Sequence, residues 1–439
     1  MPDTPLKNHL YRLGLILAAP SVATQQVLFR YRPDETLPLS PDYGPGRLFK
    51  RHHMLGGTLL LDDGAICTQI CSSLKTSPKR TVTPATVFRV ASITKMATAL
   101  CVLRLRERGY FQLTDTLFSL LPCSLPGDHP LRSATLEQVL SHRSGLRDTP
   151  AYEQVFRNGG SYDEVLQSEG VHGSRPGEIF AYCNFGFGLL GSLIEQVTGV
   201  SLEEVYRREV FQPLNMRATL DLTQAPTAEV LPISRVFPYH PRQSWKPEIP
   251  RQMQPLTHTD PARHFGYAAG SMYTDAVSLD NLLTMLAQGG QWQDMIYLPA
   301  EAVAEMTAVH AAYGEASPTL SYGLGLLMIN DPAISSHTLF GHQGFAYGCA
   351  DGAFFEEGTG RRAQRRSQRG PHGAAGHVQP RYSALGHAGG QRRMDVITGI
   401  RKERGKMRVT LNMEQDILVP ISLFRERPLA EGQSLDIEE

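Results

Sequence analysis

The sequence predicts an α/β (α+β) protein: an antiparallel sheet flanked by helices, with a large helical lobe inserted between its strands. Three observations predict it. The stretch "MLGGTLLLDDGAICTQICSS" is apolar, turns at Asp62-Asp63-Gly64, and is apolar again, which reads as a β-hairpin beginning at Met54. Residues 110–300 carry mostly helical periodicity with turn-rich connections. Strand-like text then returns in "LSYGLGLLMIN" and "HTLFGHQGFAYGCADGAFFEEG". Strands, helices and strands again imply one sheet built from both ends of the chain.

Each element has its local reason. Residues 1–53 read as a leader, a short helix followed by the Pro-rich "RYRPDETLPLSPDYGPG". After the hairpin, "FRVASITKMATALCVLRL" predicts a helix over 92–109, ending near Arg108-Gly109. "SATLEQVLSHRSG" predicts another, with Ser133 as N-cap, and "FGLLGSLIEQVTG" a third, closed by Gly199. The main domain is bounded at 54–360. Residues 361–393 hold about eight arginines, no acidic residue and almost no large aliphatics, so they are expected to be a disordered linker. Residues 394–439 form a short atypical segment in which "KMRVTLNM" and "ILVPISL" are strand candidates. If the linker is disordered, the strand at His342 is left as an open edge, or pairs with something from 407–423. Cutting the chain at Gly360 is then expected to change little.

Composition narrows the function classes. At 439 residues with formal net charge zero, nothing global points to nucleic acid or a membrane surface. The zero hides an asymmetry, about +6 after Gly360 and about −6 before it. The arginines of the tail lack interleaved aromatics, so non-specific phosphate attraction is the most they offer. Cys67, Cys71, Cys101, Cys123, Cys183 and Cys349 are scattered through apolar text and predict reduced, buried thiols. A short apolar run, Leu13–Ala19, before Ser21-Val22-Ala23 makes a feeble signal pattern, and the cytoplasm is slightly favoured over export. No apolar run approaches a membrane span.

The chemistry concentrates in three places. Ser92 and Lys95 stand at i and i+3, on one helix face. A serine at a helix N-terminus offers its N–H to an oxyanion, and a desolvated lysine one turn on can take its proton. The plainer alternative is an N-cap with a surface lysine. A second S-x-x-K, Ser72–Lys75, runs into "TSPKR" rather than an apolar helix and is set aside. In "FAYCNFGFGLLG", Tyr182 and Asn184 are two apart. A phenol with its pKa lowered by a nearby ammonium can relay a proton, and the amide can orient both lysine and substrate. Alternatively, they are a buried tyrosine and a turn asparagine. The G-x-G-x-x-G of Gly186, Gly188 and Gly191 lacks the strand and βαβ context of a dinucleotide site. In "FGHQGFAYG", Gly344 would let a substrate backbone approach, the Phe345 N–H could be a second oxyanion donor, and His342 could supply a hydrogen bond or charge.

In this order the motifs resemble the serine β-lactamase and penicillin-binding protein superfamily, and above all its class C-like branch of D-aminopeptidases, DD-carboxypeptidases, esterases and β-lactamases. "TVFRVASITKMATAL", "VLSHRSGLRD", "PGEIFAYCNFGFGLLGSLIEQVTG", "VFQPLNM", "YGLGL" and "GHQG" all look like that branch, from about Met54 to Gly360. The resemblance implies Ser92 as nucleophile, Lys95 as general base, Tyr182 as proton relay and Asn184 as orienting group. His342, Gln343 and Gly344 then stand for the third motif. It implies an amide or ester substrate, a small molecule or peptide, and no metal or cofactor. The third motif begins with histidine rather than lysine, which favours esterase or peptidase work over β-lactam hydrolysis. The alternative is a non-catalytic sensor, or a member inactivated by its altered C-terminus. The piece from Met394 resembles the opening of the RecX regulator, as a shifted reading frame would produce. Substitute strands are the rival account.

Overall fold

The computed structural model describes residues 32–34, 54–62, 67–73, 82–224, 255–313, 319–332, 335, 337–346, 349–356, 381–388, 395–403, 406–413 and 435–436. A nine-stranded sheet organises it. Its strands are β1 (Arg32–Asp34), β2 (Met54–Asp62), β3 (Cys67–Ser73), β4 (Ala311–Ala312), β5 (Leu320–Tyr322), β6 (Leu327–Ile329), β7 (Leu339–Ala346), β8 (Cys349–Glu356) and β9 (Arg381–Ala388). Their order across the sheet is β1-β3-β2-β9-β8-β7-β6-β5-β4, with every neighbouring pair antiparallel. The predicted hairpin is β2 and β3, in register from Gly56↔Ser73 to Asp62↔Cys67. Both ends of the chain thus contribute to one sheet, and the helical residues between them form the inserted lobe.

Two boundary expectations are corrected. β9 lies inside 361–393, the segment expected to be disordered. It joins β8 to β2, pairing Phe354↔Tyr382 on one edge and Leu60↔Ser383 on the other. A strand gains its order from ladder bonds on both edges, so an arginine-rich composition with few aliphatics is a poor guide to this one. β1 likewise lies in the expected leader and pairs Arg32 with Ser73. The candidate "KMRVTLNM" is a strand, but of a separate three-stranded sheet made by residues 395–403, 406–413 and 435–436. "ILVPISL", the leader helix and residues 361–380 lie outside the described residues.

The helix predicted over 92–109 is a 3₁₀ turn, Ala91–Ile93, leading into α1 (Thr94–Glu107). α1 is buried all round its first ten residues, as a helix between a sheet and a helical layer must be. Its polar positions are used inward. Thr98 donates to Ala268 O at 2.6 Å and Thr94 accepts from the Met272 N–H at 3.0 Å, which ties α1 to the chain at 268–272. α2 (Asn184–Thr198) ends at Gly199, in left-handed conformation at φ 64°. The helix near residue 136 is capped by Thr135, not Ser133: Thr135 and Gln138 form a reciprocal capping box, and Ser133 ends a separate turn. α3 (Ala276–Ala287) packs across β2, β9 and β8. Cys101 and Cys183 are free and buried, and Cys123 is free and half-buried.

Candidate active site

The site forms where the turn before α1, the N-terminus of α2 and strand β7 meet. Ala91 takes φ 44°, a left-handed conformation that costs a non-glycine residue of order 1 kcal/mol. That bend sets Ser92 at the start of α1, 8% exposed. β7 crosses close behind it. A Cβ on Gly344 would lie 2.1 Å from Val90 O, so only glycine lets the strand reach this turn. The close approach that the structure shows at Gly344 is to the chain's own backbone. β6 pairs only with residues 339–341 of β7, and the stretch 342–346 continues beyond it, paired to β8.

Lys95 is fully buried, so it is not the surface lysine of the plainer alternative. Its Nζ lies 3.1 Å from Ser92 Oγ, 2.8 Å from Asn184 Oδ1 and 2.7 Å from Ala269 O. Burial pushes its pKa down to about 7, and the Asp148 carboxylate opposes part of that fall. The Tyr182 hydroxyl hydrogen-bonds to Ser92, and Lys95 Nζ sits 4.9 Å from the centre of the Tyr182 ring. Burial raises the Tyr182 phenol well above its usual range, opposite to the lowering expected from a neighbouring ammonium. Tyr182 is therefore a neutral phenol, able to donate and accept at once.

Two third-motif expectations change. His342 is buried at 4% exposure and both ring nitrogens are engaged. Nδ1 donates to Gln343 O at 2.5 Å, which leaves Nε2 to accept from the Tyr322 hydroxyl at 2.9 Å. Burial, then Lys95, depress its pKa to about 3, so it carries no charge. Gln343 keeps a buried Nε2 with no hydrogen-bond partner among the described residues. Phe345 pairs with Ala350 across β7 and β8. The glycines of "GFGLLG" lie within α2. A Cβ on Gly188 would come within 2.6 Å of Gly266 N, so this glycine serves helix packing rather than a phosphate.

Asp148 carries no expected role, although it stands in "VLSHRSGLRD". Its carboxylate accepts from Asn184 N at 3.0 Å, Asn184 Nδ2 at 2.7 Å and Phe185 N at 2.8 Å, with Cys183 Sγ at 3.4 Å. It caps α2 and, by holding Nδ2, turns the Asn184 oxygen toward Lys95. The aspartate-after-SGL signal was present in the sequence. Its target lay 36 residues on and could not be read there. Asp148→Ala is expected to cost about 1 kcal/mol as a lost cap, measured by denaturant melts. No change in the melting midpoint would mean that water replaces the carboxylate.

The Beta-lactamase family matches residues 56–359, more than half of the chain. The chain belongs to that family. Penicillin-binding protein 4* of Bacillus subtilis (strain 168) is 24% identical over 64% of this chain and 61% of its own length. This chain thus spans about six-tenths of that curated relative. Among solved structures, the octameric penicillin-binding protein homologue from Pyrococcus abyssi superposes with TM-score 0.57 at 20% identity, over 80% of this chain and 74% of that one. The D-amino acid amidase from Ochrobactrum anthropi SV3 does so with TM-score 0.54 at 20% identity, over 76% and 86%. The family and the superposed structures give the chain a β-lactamase fold. Among the described residues no single helix is long and apolar enough to cross a membrane, and no cluster of metal-ligating side chains forms.

Proposed function

We propose that this chain is a serine hydrolase that cleaves an amide or ester through an acyl-enzyme on Ser92. One observation carries the reading: the set of partners around Lys95 Nζ. Ala269 O can only accept, and Asn184 presents its oxygen because its nitrogen is held by Asp148. A neutral amine directs its two N–H bonds at those oxygens. Its lone pair then faces Ser92, the one partner of the three with a proton to give.

Ser92 Oγ attacks the carbonyl carbon as its proton passes to Lys95 Nζ. The oxyanion rests on the N–H groups of Ser92 and Phe345, at the start of α1 and on β7. Tyr182, bonded to Ser92, hands the proton on to the departing nitrogen or oxygen and stays neutral throughout. Water then attacks the ester carbonyl as Lys95 takes its proton; the bond to Ser92 Oγ breaks, Lys95 passes that proton to Ser92, and the acid is freed.

The substrate class follows from charge. With His342 neutral and both its nitrogens engaged, His342 offers no charge to a substrate carboxylate. The rings of Phe180 and Tyr313 lie 4.6 Å apart, tilted by 39°, near Tyr182 and suit an apolar side chain. An amide or ester with an uncharged leaving group and an apolar acyl part fits best, in keeping with the amidase among the structural neighbours.

The test is intact-mass detection of a fluorophosphonate adduct. The unchanged chain is expected to gain one adduct and Ser92→Ala none. The melt should stay within about 2 kcal/mol, since Ser92 is not the N-cap of either the 3₁₀ turn or α1. Labelling that persists in Ser92→Ala would identify another nucleophile. A folded, unlabelled chain that still binds the substrate panel would favour the sensor alternative.

A further inference from the structure

We infer that His142 is the positioning residue for Tyr182, holding the phenol at Ser92 by accepting hydrogen bonds from both peptide N–H groups that flank it. The inference rests on the roles proposed above for Ser92 and Tyr182. The Ala181 N–H donates to the His142 carbonyl at 2.8 Å, and the Cys183 N–H donates to its Nδ1 at 3.1 Å. One residue therefore holds the 180–181 and 182–183 peptides, and so the backbone just before and just after Tyr182. Its ring also lies 4.3 Å from the Tyr182 ring, centre to centre.

The backbone is bent to make this possible. His142 holds φ 58°, the left-handed region that few non-glycine residues enter, and histidine is among those enriched there. In that conformation its carbonyl and its imidazole both reach the stretch 181–183. Because Nδ1 accepts, the ring proton sits on Nε2, which is buried without a hydrogen-bond partner among the described residues. The rings of Phe187 and Tyr322, at 4.9 and 4.7 Å, surround it. An aromatic hydrocarbon such as phenylalanine would fill this box without an orphaned N–H. It could not accept from Cys183. The orphaned proton is thus a cost tolerated for the Nδ1 contact. Burial, and then Lys95, keep the imidazole neutral, so the acceptor persists.

The test separates the acceptor from the ring. His142→Gly keeps the left-handed backbone and the carbonyl contact but removes Nδ1. His142→Asn also tolerates that backbone, and its Oδ1 falls close to where Nδ1 stood. The glycine variant is expected to lose about 100-fold in kcat toward an apolar amino-acid p-nitrophenyl ester, with KM within about threefold, as a misplacement near 1 Å would produce. The asparagine variant should recover about tenfold of that loss or more. If the glycine variant gives no cooperative melt, His142→Ser, whose hydroxyl falls short of Cys183, replaces it. Undiminished kcat in the glycine variant, or a folded asparagine variant no better than it, would overturn the inference. A crystal structure of the glycine variant reads the same point without activity. The Tyr182 hydroxyl should have left Ser92. If it has not, His142 does not position it, even should Ser92 prove not to be the nucleophile.

Discussion

Lys95→Arg is expected to be as inactive as Lys95→Ala, with acylation of Ser92 down by about a thousandfold or more. Arginine keeps the positive charge that lysine carries below its pKa, but a guanidinium does not surrender its proton near neutral pH. If Lys95 contributed only charge to the site, the arginine variant would retain most of the rate. The same group sets the pH profile. Burial holds the Lys95 pKa near 7, so acylation should fall as pH drops through about 7 and level off above it. The stability consequence has the opposite sense from a salt bridge. A lysine with a lowered folded pKa binds fewer protons folded than unfolded between about 7 and its model value of 10.5. Stability is therefore penalised most below about pH 7, and the penalty fades as pH rises toward 10.5. Stopped-flow acylation of both variants, alongside the pH dependence of the unchanged chain, reads all of this. An acid limb unchanged in Lys95→Ala would show that another group is the base.

The parts of the site that could be read in the sequence are those whose chemistry is local. Ser92 and Lys95 are one helical turn apart, and their spacing states their contact. Tyr182 and Asn184 have no such spacing to Lys95. They were legible only as a motif in the right order, and the fold brings Asn184 to 2.8 Å from Lys95 across 89 residues. His142 and Asp148 carry no local sign of a role, because what each does is to hold a backbone or an amide some 40 residues on. Charge states depend on the same distant packing. A tyrosine beside a lysine suggests a lowered phenol pKa, but burial dominates and raises it. A histidine opening a strand suggests a charge, but Tyr322 and the Gln343 carbonyl occupy both its nitrogens. In the fold, hydrophobic patterning gave the hairpin and the helices. It failed at β9, whose order comes from pairing on both edges rather than from apolar side chains.

Ending the chain at Gly360 should now be among the most damaging changes available, rather than a neutral one. Among the described residues, β9 alone connects the N-terminal strands β1, β3 and β2 to β8 and the rest of the sheet. Its registers run from Arg381↔Asp62 to Ala388↔Met54 on one side and from Phe355↔Arg381 to Cys349↔His387 on the other. Removing it leaves two long strand edges unpaired, and each net backbone hydrogen bond is worth about 1 kcal/mol. It also strips one of the three strands beneath α3, so the helix would span a gap between β2 and β8. A loss of about 5 kcal/mol or more is expected, which for a domain of this size lowers the melting temperature by about 10 °C or more. Exposed edges should add aggregation. Ser92 labelling should fall with it, since β7 would be joined only through β8 to a sheet that has lost its far half. The comparison is a chain ended at Gly360 against one ended at Arg393, which keeps β9 and lacks residues 394–439, the small three-stranded sheet among them. If both melt as the full chain does, β9 contributes nothing, and the hairpin holds to the domain by α3 alone. A large drop for the first and a small one for the second would place the fold's C-terminal boundary after Ala388.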